Sequence, residues 1–357
     1  MRIQLSDHFS YGRLIRFTLP SIVMMIFTSI YSVVDGLFVS NFVGKTPFAA
    51  INLIMPILII LGALGFMIGT GGSAIVAKTL GEGDPARANR YFSMLVYTTV
   101  VGGAVLAAAG ELSLPIVSEL LGAEGAMLQD CILYGRIILA ALPAFMLQNV
   151  FQSFMITAEK SRLGLAVTVA AGLTNMVLDF VFIVPLGWGL AGAAIATAIS
   201  QVIGGAVPIV YFARKNDSLL RLTKAKFEGR ILLRTCTNGS SELMSNISAS
   251  IVTMLYNFQL MRLAGEDGIA AYGVVMYVNF VFSAIFIGYS IGAAPVIGYH
   301  YGAQNHAELK NLFRRSLVLV VISGVAMTVL AELLAQPLTH VFVGYDAGLY
   351  ALTGRGF

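Results

Sequence analysis

The sequence predicts an all-α, polytopic membrane protein, and three observations support that class. Of its 357 residues, 57% are hydrophobic and only 11% are charged, whereas an ordinary soluble domain has about 25% charged residues. Ten prolines and 37 glycines are spread through the apolar runs, as is common in membrane helices. Many of those runs exceed the roughly 20 residues that a membrane-spanning helix needs.

Nine runs can be delimited, and charged or helix-breaking segments separate them. The polar N-terminal stretch before the first run argues against a cleavable signal peptide. The predicted spans are 14–40, 50–77, 91–110, 132–157, 163–184, 190–213, 233–260, 270–298 and 314–335.

The distribution of basic residues predicts the orientation. With the N-terminus in the cytoplasm, 18 of the 22 Lys and Arg residues fall in inner segments and four in outer ones, as the positive-inside rule requires. The basic segment 214–232 then becomes a cytoplasmic linker, which explains its charge without nucleic-acid binding. Cys131 and Cys236 lie on opposite sides, so they form neither a disulfide nor a metal site.

An internal repeat predicts two related bundles. Residues 47–92 align without gaps onto 268–313, a shift of 221, with eight identities. Both copies begin on the same side, so the repeat axis runs along the membrane normal, as in some transporters. We therefore expect nine of twelve transmembrane helices in two pseudo-symmetric six-helix bundles. The N-terminal bundle covers 1–213, the linker 214–232, and the incomplete second bundle 233–357, with its first three helices only.

Several polar residues lie inside the predicted spans. Asp35, Asp179 and Glu242 are ionisable, and burying such a group in a membrane costs several kcal/mol unless it faces a cavity or a partner. Helical rise places Asp35 and Asp179 at similar depths, roughly 9 Å below the outer end of their spans, with Thr197 close to that level. Asn175 lies one turn below Asp179 on the same helix face. Their oxygen atoms suit hard cations or protons.

These residues allow more than one interpretation. Two carboxylates at one depth would repel each other, so we expect them to share a cation or to hold a proton. Asn175 and Thr197 could equally hydrogen-bond helices together. Glu242 either stabilises a helix N-terminus or forms a second ionisable site. Pro20, fifteen residues before Asp35, either makes a static kink or couples protonation to helix shape.

Four stretches together resemble the multidrug and toxic-compound extrusion (MATE) transporters over all nine spans. They are PSIVMMIFTSIYSVVDGLFVSNFVG in the first span, NMVLD in the fifth, GWGLAGAAIATAIS entering the sixth, and the loop LGEGDPARANR with its echo YGAQNHAELKNLFRR. The resemblance implies twelve spans in two bundles. It also implies antiport, in which Na⁺ or H⁺ enters while an organic, often cationic, drug leaves.

The resemblance also implies roles for particular residues. In the DinF-like branch, the matching cation-site positions are Asp35, Asn175, Asp179 and Thr197. The matching substrate contacts are Thr28, Tyr31 and Gln152. Bending at the proline that matches Pro20 is tied to protonation in that family. The acidic pair of the NorM-like branch has no obvious counterpart in spans seven and eight, which favours the DinF-like branch and leaves Glu242 unplaced.

Three rival functions are less consistent with the sequence. A lipid-linked oligosaccharide flippase of the same superfamily needs cationic side chains for a pyrophosphate, and none lies clearly inside a span. An intramembrane enzyme is disfavoured because the four histidines lie at or beyond span ends. An ion channel or receptor does not need the parallel repeat. We expect a monomeric transporter of the cell membrane, with no enzymatic activity or cofactor, no nucleic-acid partner, and Na⁺ or H⁺ as the coupling ion.

Overall fold

The chain is mostly α-helical in the part that the computed structural model describes, residues 3–343. The side chains of some helix positions, most of them in 254–278 and 335–343, are also outside this description, as is the end of the predicted second bundle, 344–357. The helices are α1 (Tyr11–Phe38), α2 (Lys45–Gly81), α3 (Pro85–Leu120), α4 (Gly125–Ala140), α5 (Leu142–Thr157), α6 (Ser161–Ile183), α7 (Gly189–Ala213), α8 (Gly229–Gly302) and α9 (His306–Val343).

Seven helical segments among the described residues are long and apolar enough to cross a membrane. The predicted span 132–157 is instead two helices, α4 and α5, bent by 54°. The break falls at Ala141, and Pro143 lies in the first turn of α5. Because proline has no N–H and clashes with a preceding turn, it favours a helix start at this point. Taken as one broken span, the pair raises the count to eight.

The predicted seventh and eighth spans fall within one helix, α8, of 74 residues. A straight helix of that length would extend about 110 Å. Both ends of α8 nevertheless contact α2, because Thr235 lies against Gly71 and Tyr299 lies against Gly81. These two sites on α2 are only about 15 Å apart, so α8 must turn back on itself.

Only the second half of α8, Asn279–Gly302, meets the criteria for a span within the described part of the chain. The first half, which contains the predicted span 233–260, includes the polar run 237–242. That run lowers its mean hydropathy.

The predicted repeat is visible where α2 and α8 cross. A Cβ atom on Gly81 would overlap the backbone carbonyl of Tyr299, and one on Gly302 would overlap that of Lys78. A shift of 221 residues places Gly81 on Gly302 and Lys78 on Tyr299, so the two contacts are equivalent under the predicted repeat. The crossing is therefore pseudo-symmetric, and it depends on two glycines that let the helix backbones touch.

The turns after α2 and α8 follow the same symmetry. Asp84 accepts a hydrogen bond from the N–H of Arg87 at 2.9 Å, and Asn305 accepts one from the N–H of Glu308 at 3.1 Å. Each side chain caps the helix that follows. Asp84 and Asn305 are again 221 positions apart, so the repeat extends into the N-terminal turns of α3 and α9.

Residues 3–10, here called the N-terminal strap, lie across the predicted inner face. Leu5 and Phe9 of the strap are fully buried. The N–H of Leu5 donates to Glu159 at 2.7 Å, and the N–H of Phe9 donates to Glu308 at 2.9 Å. Because Glu159 lies between α5 and α6 and Glu308 lies in α9, the strap ties the first six spans to the later helices.

The linker before α8 is held against α3. Residues 214–228 contain no helix. The N–H of Arg221 donates to Asn89 at 2.7 Å, and the N–H of Thr223 donates to Ser93 at 2.8 Å. Since Asn89 and Ser93 lie one turn apart on α3, the linker follows that helix along the predicted inner face.

Candidate functional site

Two buried carboxyl groups meet where α1 and α6 lie side by side. Gly172 permits this close approach, since a Cβ atom there would overlap the rings of Phe27 and Tyr31. Asp179 lies two turns further along the same face of α6, where it meets Asp35 of α1. The two carboxyl groups are close enough to interact electrostatically. Asp179 is fully buried and Asp35 is partly buried.

The polar residues of α6 occupy its protein-facing side. Its buried positions recur every three or four residues, which places them on one face: Gly164, Val167, Thr168, Ala171, Gly172, Asn175, Asp179 and Ile183. The opposite face carries Leu173, Val177 and Phe180, each at least half exposed. The sequence pattern therefore turns the carboxyl group toward other helices and the large apolar side chains toward lipid.

Asn175 and Thr197 lie next to the carboxyl pair. The amide of Asn175 donates to the hydroxyl of Thr197 at 3.4 Å. The carbonyl oxygen of Asn175, both oxygens of Asp179 and one oxygen of Asp35 are buried without a hydrogen-bond donor. Asp35, Asn175, Asp179 and Thr197 are called the polar layer below. Buried acceptors without donors are costly, and a cation or protons would compensate them.

An apolar layer covers the polar layer on the predicted outer side. Val39, Ile183 and Ala193 form one buried cluster. They lie one helical turn outward from Asp35, Asp179 and Thr197, respectively. Directly beyond Asp35, α1 continues as a short π-helical segment, Val39–Val43, a distortion that is frequent at functional sites. The polar layer is thereby shielded from the predicted outer face.

Two residues that the sequence did not single out lie beside the polar layer or beside its neighbour Tyr31. Gln148 of α5 lies close enough to the hydroxyl of Tyr31, a predicted substrate contact, to interact with it. Tyr134 of α4 is buried and lies close enough to both aspartates to interact electrostatically. The only available signal for Gln148 was its position one turn before the predicted Gln152. Nothing local distinguishes Tyr134, since tyrosine is common in membrane helices.

Gln152 lies in a neighbouring cavity instead of at the carboxyl pair. The cavity is small, about 10 Å³, and is lined by Gln148, Phe151, Gln152, Met155, Gly164, Val167, Thr168, Gly204 and Pro208. It has room for about one water molecule. The side-chain oxygen of Gln152 is buried there without a partner. Gln148 borders both this cavity and Tyr31, so it connects the two regions.

The hydroxyl of Thr28 is engaged within its own helix. It donates to the backbone carbonyl of Met24 at 2.9 Å. Of the three predicted substrate residues, only Tyr31 is close enough to the carboxyl pair to interact with it, through Asp35. The predicted roles of Thr28, Tyr31 and Gln152 remain predictions.

Pro20 lies within α1, where this helix contacts α8. Its neighbours Thr18 and Ser21 are fully buried. A Cβ atom on Gly292 would overlap both of them, and one on Gly288 would overlap the backbone at Ile22. A change in α1 shape at Pro20 would therefore act on the contact between the two halves of the protein.

Glu242 lies in the first half of α8 and is not near the polar layer in any described contact. Because α8 begins at Gly229, Glu242 lies well beyond the first turn, where the helix dipole acts most strongly. Stabilisation of a helix N-terminus therefore does not explain why an acidic residue lies at position 242. A second ionisable site at Glu242 remains a prediction.

Comparison with known proteins identifies the family. The MatE family pattern matches residues 20–181 and 243–355, which is more than half of the chain. The chain therefore belongs to the MatE family of membrane transporters, and it is not an enzyme. The DinF-like branch remains a prediction.

Similar proteins include multidrug export proteins of staphylococci. The MepA protein of Staphylococcus haemolyticus is 26% identical over 324 residues, covering 89% of this chain and 71% of that protein. MepA of Staphylococcus saprophyticus is 24% identical over 318 residues, covering 88% of this chain and 70% of that protein.

Solved structures share the fold. A MATE protein in complex with MaL6 superposes with a TM-score of 0.90 at 22% identity, over 98% of this chain and 78% of that one. An outward-facing MATE-family multidrug resistance transporter gives the same four values. The all-α, polytopic architecture predicted from the sequence is confirmed by these similarities.

Proposed function

We propose that this protein exports small organic, cationic compounds in exchange for Na⁺ or H⁺ by alternating access. The observation that supports this most directly is the contact between Asp35 and Asp179 inside a membrane bundle. Its relatives are named multidrug export proteins, which is consistent with a drug-like substrate. The proposal also includes a cytoplasmic N-terminus, as the basic residues predict.

The coupling ion would act on the carboxyl pair. Two carboxylates about 4 Å apart repel each other by about 4 kcal/mol at an effective dielectric constant of 20. A bound Na⁺ or a proton removes this repulsion, and the oxygens of Asn175 and Thr197 supply further ligands for Na⁺. A cationic substrate near Tyr31 would gain from the same negative charge. Ion and substrate would therefore compete for the negative charge of the same carboxyl pair.

Alternating access requires a seal on each side of the site. Toward the outside, the apolar layer covers the polar layer. Toward the inside, the α2–α8 crossing and the N-terminal strap hold the two halves together. Ion binding can favour one state only if the ion binds that state more tightly. We infer that separation of the two carboxyl groups weakens ion binding in the other state.

The test is dye efflux from proteoliposomes with an imposed Na⁺ or H⁺ gradient. The Asp179→Asn variant keeps the shape of the side chain but cannot ionise. We expect gradient-driven efflux to fall at least about tenfold. The matched control is Glu119→Gln, which changes an exposed acidic residue at the end of α3. Wild-type efflux by Asp179→Asn would refute the proposed ion site.

The same assay distinguishes the coupling ions and the rival functions. Efflux that responds to only one of the two gradients identifies the ion. Dye movement that is equally fast without any gradient would indicate a channel. No dye movement under either gradient, with a folded protein, would favour a different substrate class, such as a lipid-linked sugar.

A further inference from the structure

A groove on the membrane-facing side of α3 lies outside the transport site. It has a volume of about 350 Å³ and is lined by Met94, Tyr97, Thr98, Val101 and Gly102 of α3 and by Ala225 and Phe227 of the linker. The α3 residues are spaced as one helix face. Val101 and Phe227 are 64% and 69% exposed, so the groove opens away from the helical bundle.

The walls of the groove are held in place by hydrogen bonds. The hydroxyl of Tyr97 donates to the carbonyl of Thr223 at 3.2 Å, and the N–H of Glu228 contacts the sulfur of Met94 at 3.1 Å. Together with the Ser93–Thr223 contact described above, these bonds fix the linker along α3. A Cβ atom on Gly102 would meet nothing within 4 Å, so the outer end of the groove is open.

Basic residues surround the inner end of the groove. Arg90 lies one turn before Met94 on the same face of α3, and Lys224 and Lys226 flank Ala225 in the linker. All three basic side chains are exposed, and none forms an ion pair within the described part of the chain. The one nearby acidic residue of the linker wall is Glu228, so the local charge is positive.

Asp217, earlier in the linker, does not offset this charge, because it is paired with Lys160. The hydrogen bond from the Lys160 ammonium holds the pKa of Asp217 below its usual value. Asp217 therefore stays ionised at neutral pH.

We propose that this groove binds an anionic phospholipid of the inner leaflet. The apolar walls of Val101 and Phe227 would hold an acyl chain, while Arg90, Lys224 and Lys226 would attract the phosphate. Tyr97 lies between these regions, where aromatic residues of membrane proteins commonly sit. Positive side chains near a membrane surface are attracted to anionic lipids. This site is independent of the carboxyl pair and of transport.

The test measures lipid binding by native mass spectrometry of the purified protein with phosphatidylglycerol or phosphatidylcholine. We expect the wild type to retain phosphatidylglycerol preferentially. Loss of each charge should weaken that preference about fivefold, so Arg90→Gln and Lys226→Gln are the informative variants. The matched control is Arg162→Gln, an exposed basic residue at the start of α6.

A second pair of variants tests the groove itself. Val101→Trp would fill it, whereas Val321→Trp changes a valine of α9 that is 61% exposed and lies elsewhere. We expect only Val101→Trp to displace the retained lipid, with both variants folded by circular dichroism. Equal retention of both lipids by the wild type, or an unchanged preference in Arg90→Gln and Val101→Trp, would overturn the proposal. Retention of free phosphate without lipid would overturn it as well.

Discussion

Gly172 has a larger effect on the site than its lack of a side chain suggests. It lets α1 approach α6 closely, and this contact positions Tyr31 and, one turn further along α1, Asp35. Asp179 alone would be a buried carboxyl group without a partner, which is costly in a membrane. The spacing between Gly172, Asn175 and Asp179 places all three on one face of α6. The same face therefore provides the close contact with α1 and the ligands for an ion.

We expect Gly172→Ala to lower both stability and transport. The new methyl group would overlap the rings of Phe27 and Tyr31, and overpacking of this kind typically costs about 1–3 kcal/mol. Thermal unfolding in detergent and dye efflux would measure the two effects. Gly324→Ala is the control, because a Cβ atom there meets nothing within 4 Å. A transport rate and melting temperature equal to those of the control would contradict this role.

At the scale of the helices, the α2–α8 crossing is the most constrained contact. Two glycines related by the repeat let the backbones touch, so neither helix can carry a side chain at those positions without moving. The bend between α4 and α5 serves a different purpose. It places Tyr134 of α4 near the two aspartates and Gln148 of α5 near Tyr31, although the two helices point in different directions.

Gly302→Ala should destabilise the protein, because the new Cβ would overlap the backbone carbonyl of Lys78. Backbone is harder to displace than a flexible side chain, so we expect a loss at the upper end of about 1–3 kcal/mol. Differential scanning fluorimetry against Gly324→Ala would measure it. By pseudo-symmetry, Gly81→Ala should behave alike. An unchanged melting temperature in both variants would mean that the helices can separate there at little cost.

At the scale of the whole molecule, the strap and the linker mirror each other. The strap precedes the first helix of the predicted first bundle and binds α9, which is the third predicted span of the second. The linker precedes the first helix of the predicted second bundle and binds α3, which is the third predicted span of the first. Each segment thus crosses from one half to the other on the predicted inner face. Because both segments connect the two halves, we expect the predicted inner face to open only when the two halves move apart together.

We expect Glu308→Ala to loosen the inner face, because it removes the acceptor for the N–H of Phe9 and for His8. The reporter is Thr235→Cys, in a background where Cys131 and Cys236 are serine. Thr235 is fully buried against α2, so its labelling by a membrane-permeant maleimide reports opening. We expect labelling to become several times faster.

Glu332→Ala, at the far end of the same helix, is the control for that experiment, since Glu332 is exposed. If Glu308→Ala and Glu332→Ala label the reporter at the same rate, the strap does not hold the inner face closed.

Much of the fold followed from local features of the sequence. Apolar length predicted most of the spans, and a shift of 221 residues anticipated the symmetric contacts of Gly81 and Gly302. The break between α4 and α5 was not predicted. A continuous helix that contains a proline and a helix that ends at that proline have the same hydropathy, so hydropathy cannot distinguish them. The turn within α8 was predicted as a loop, but the chain remains helical through it.

The sequence by itself determined that the chain is a membrane protein. It also determined that Asp35 and Asp179 need an environment other than lipid, because transfer of ionisable groups into hydrocarbon is costly wherever they lie. It also determined the repeat, because a duplicated pattern survives in the spacing of small residues. Only the tertiary structure decided which groups meet. Tyr134 comes near the aspartates, and Gln148 near Tyr31, through helix bends and crossings, and those depend on contacts between residues far apart in the chain.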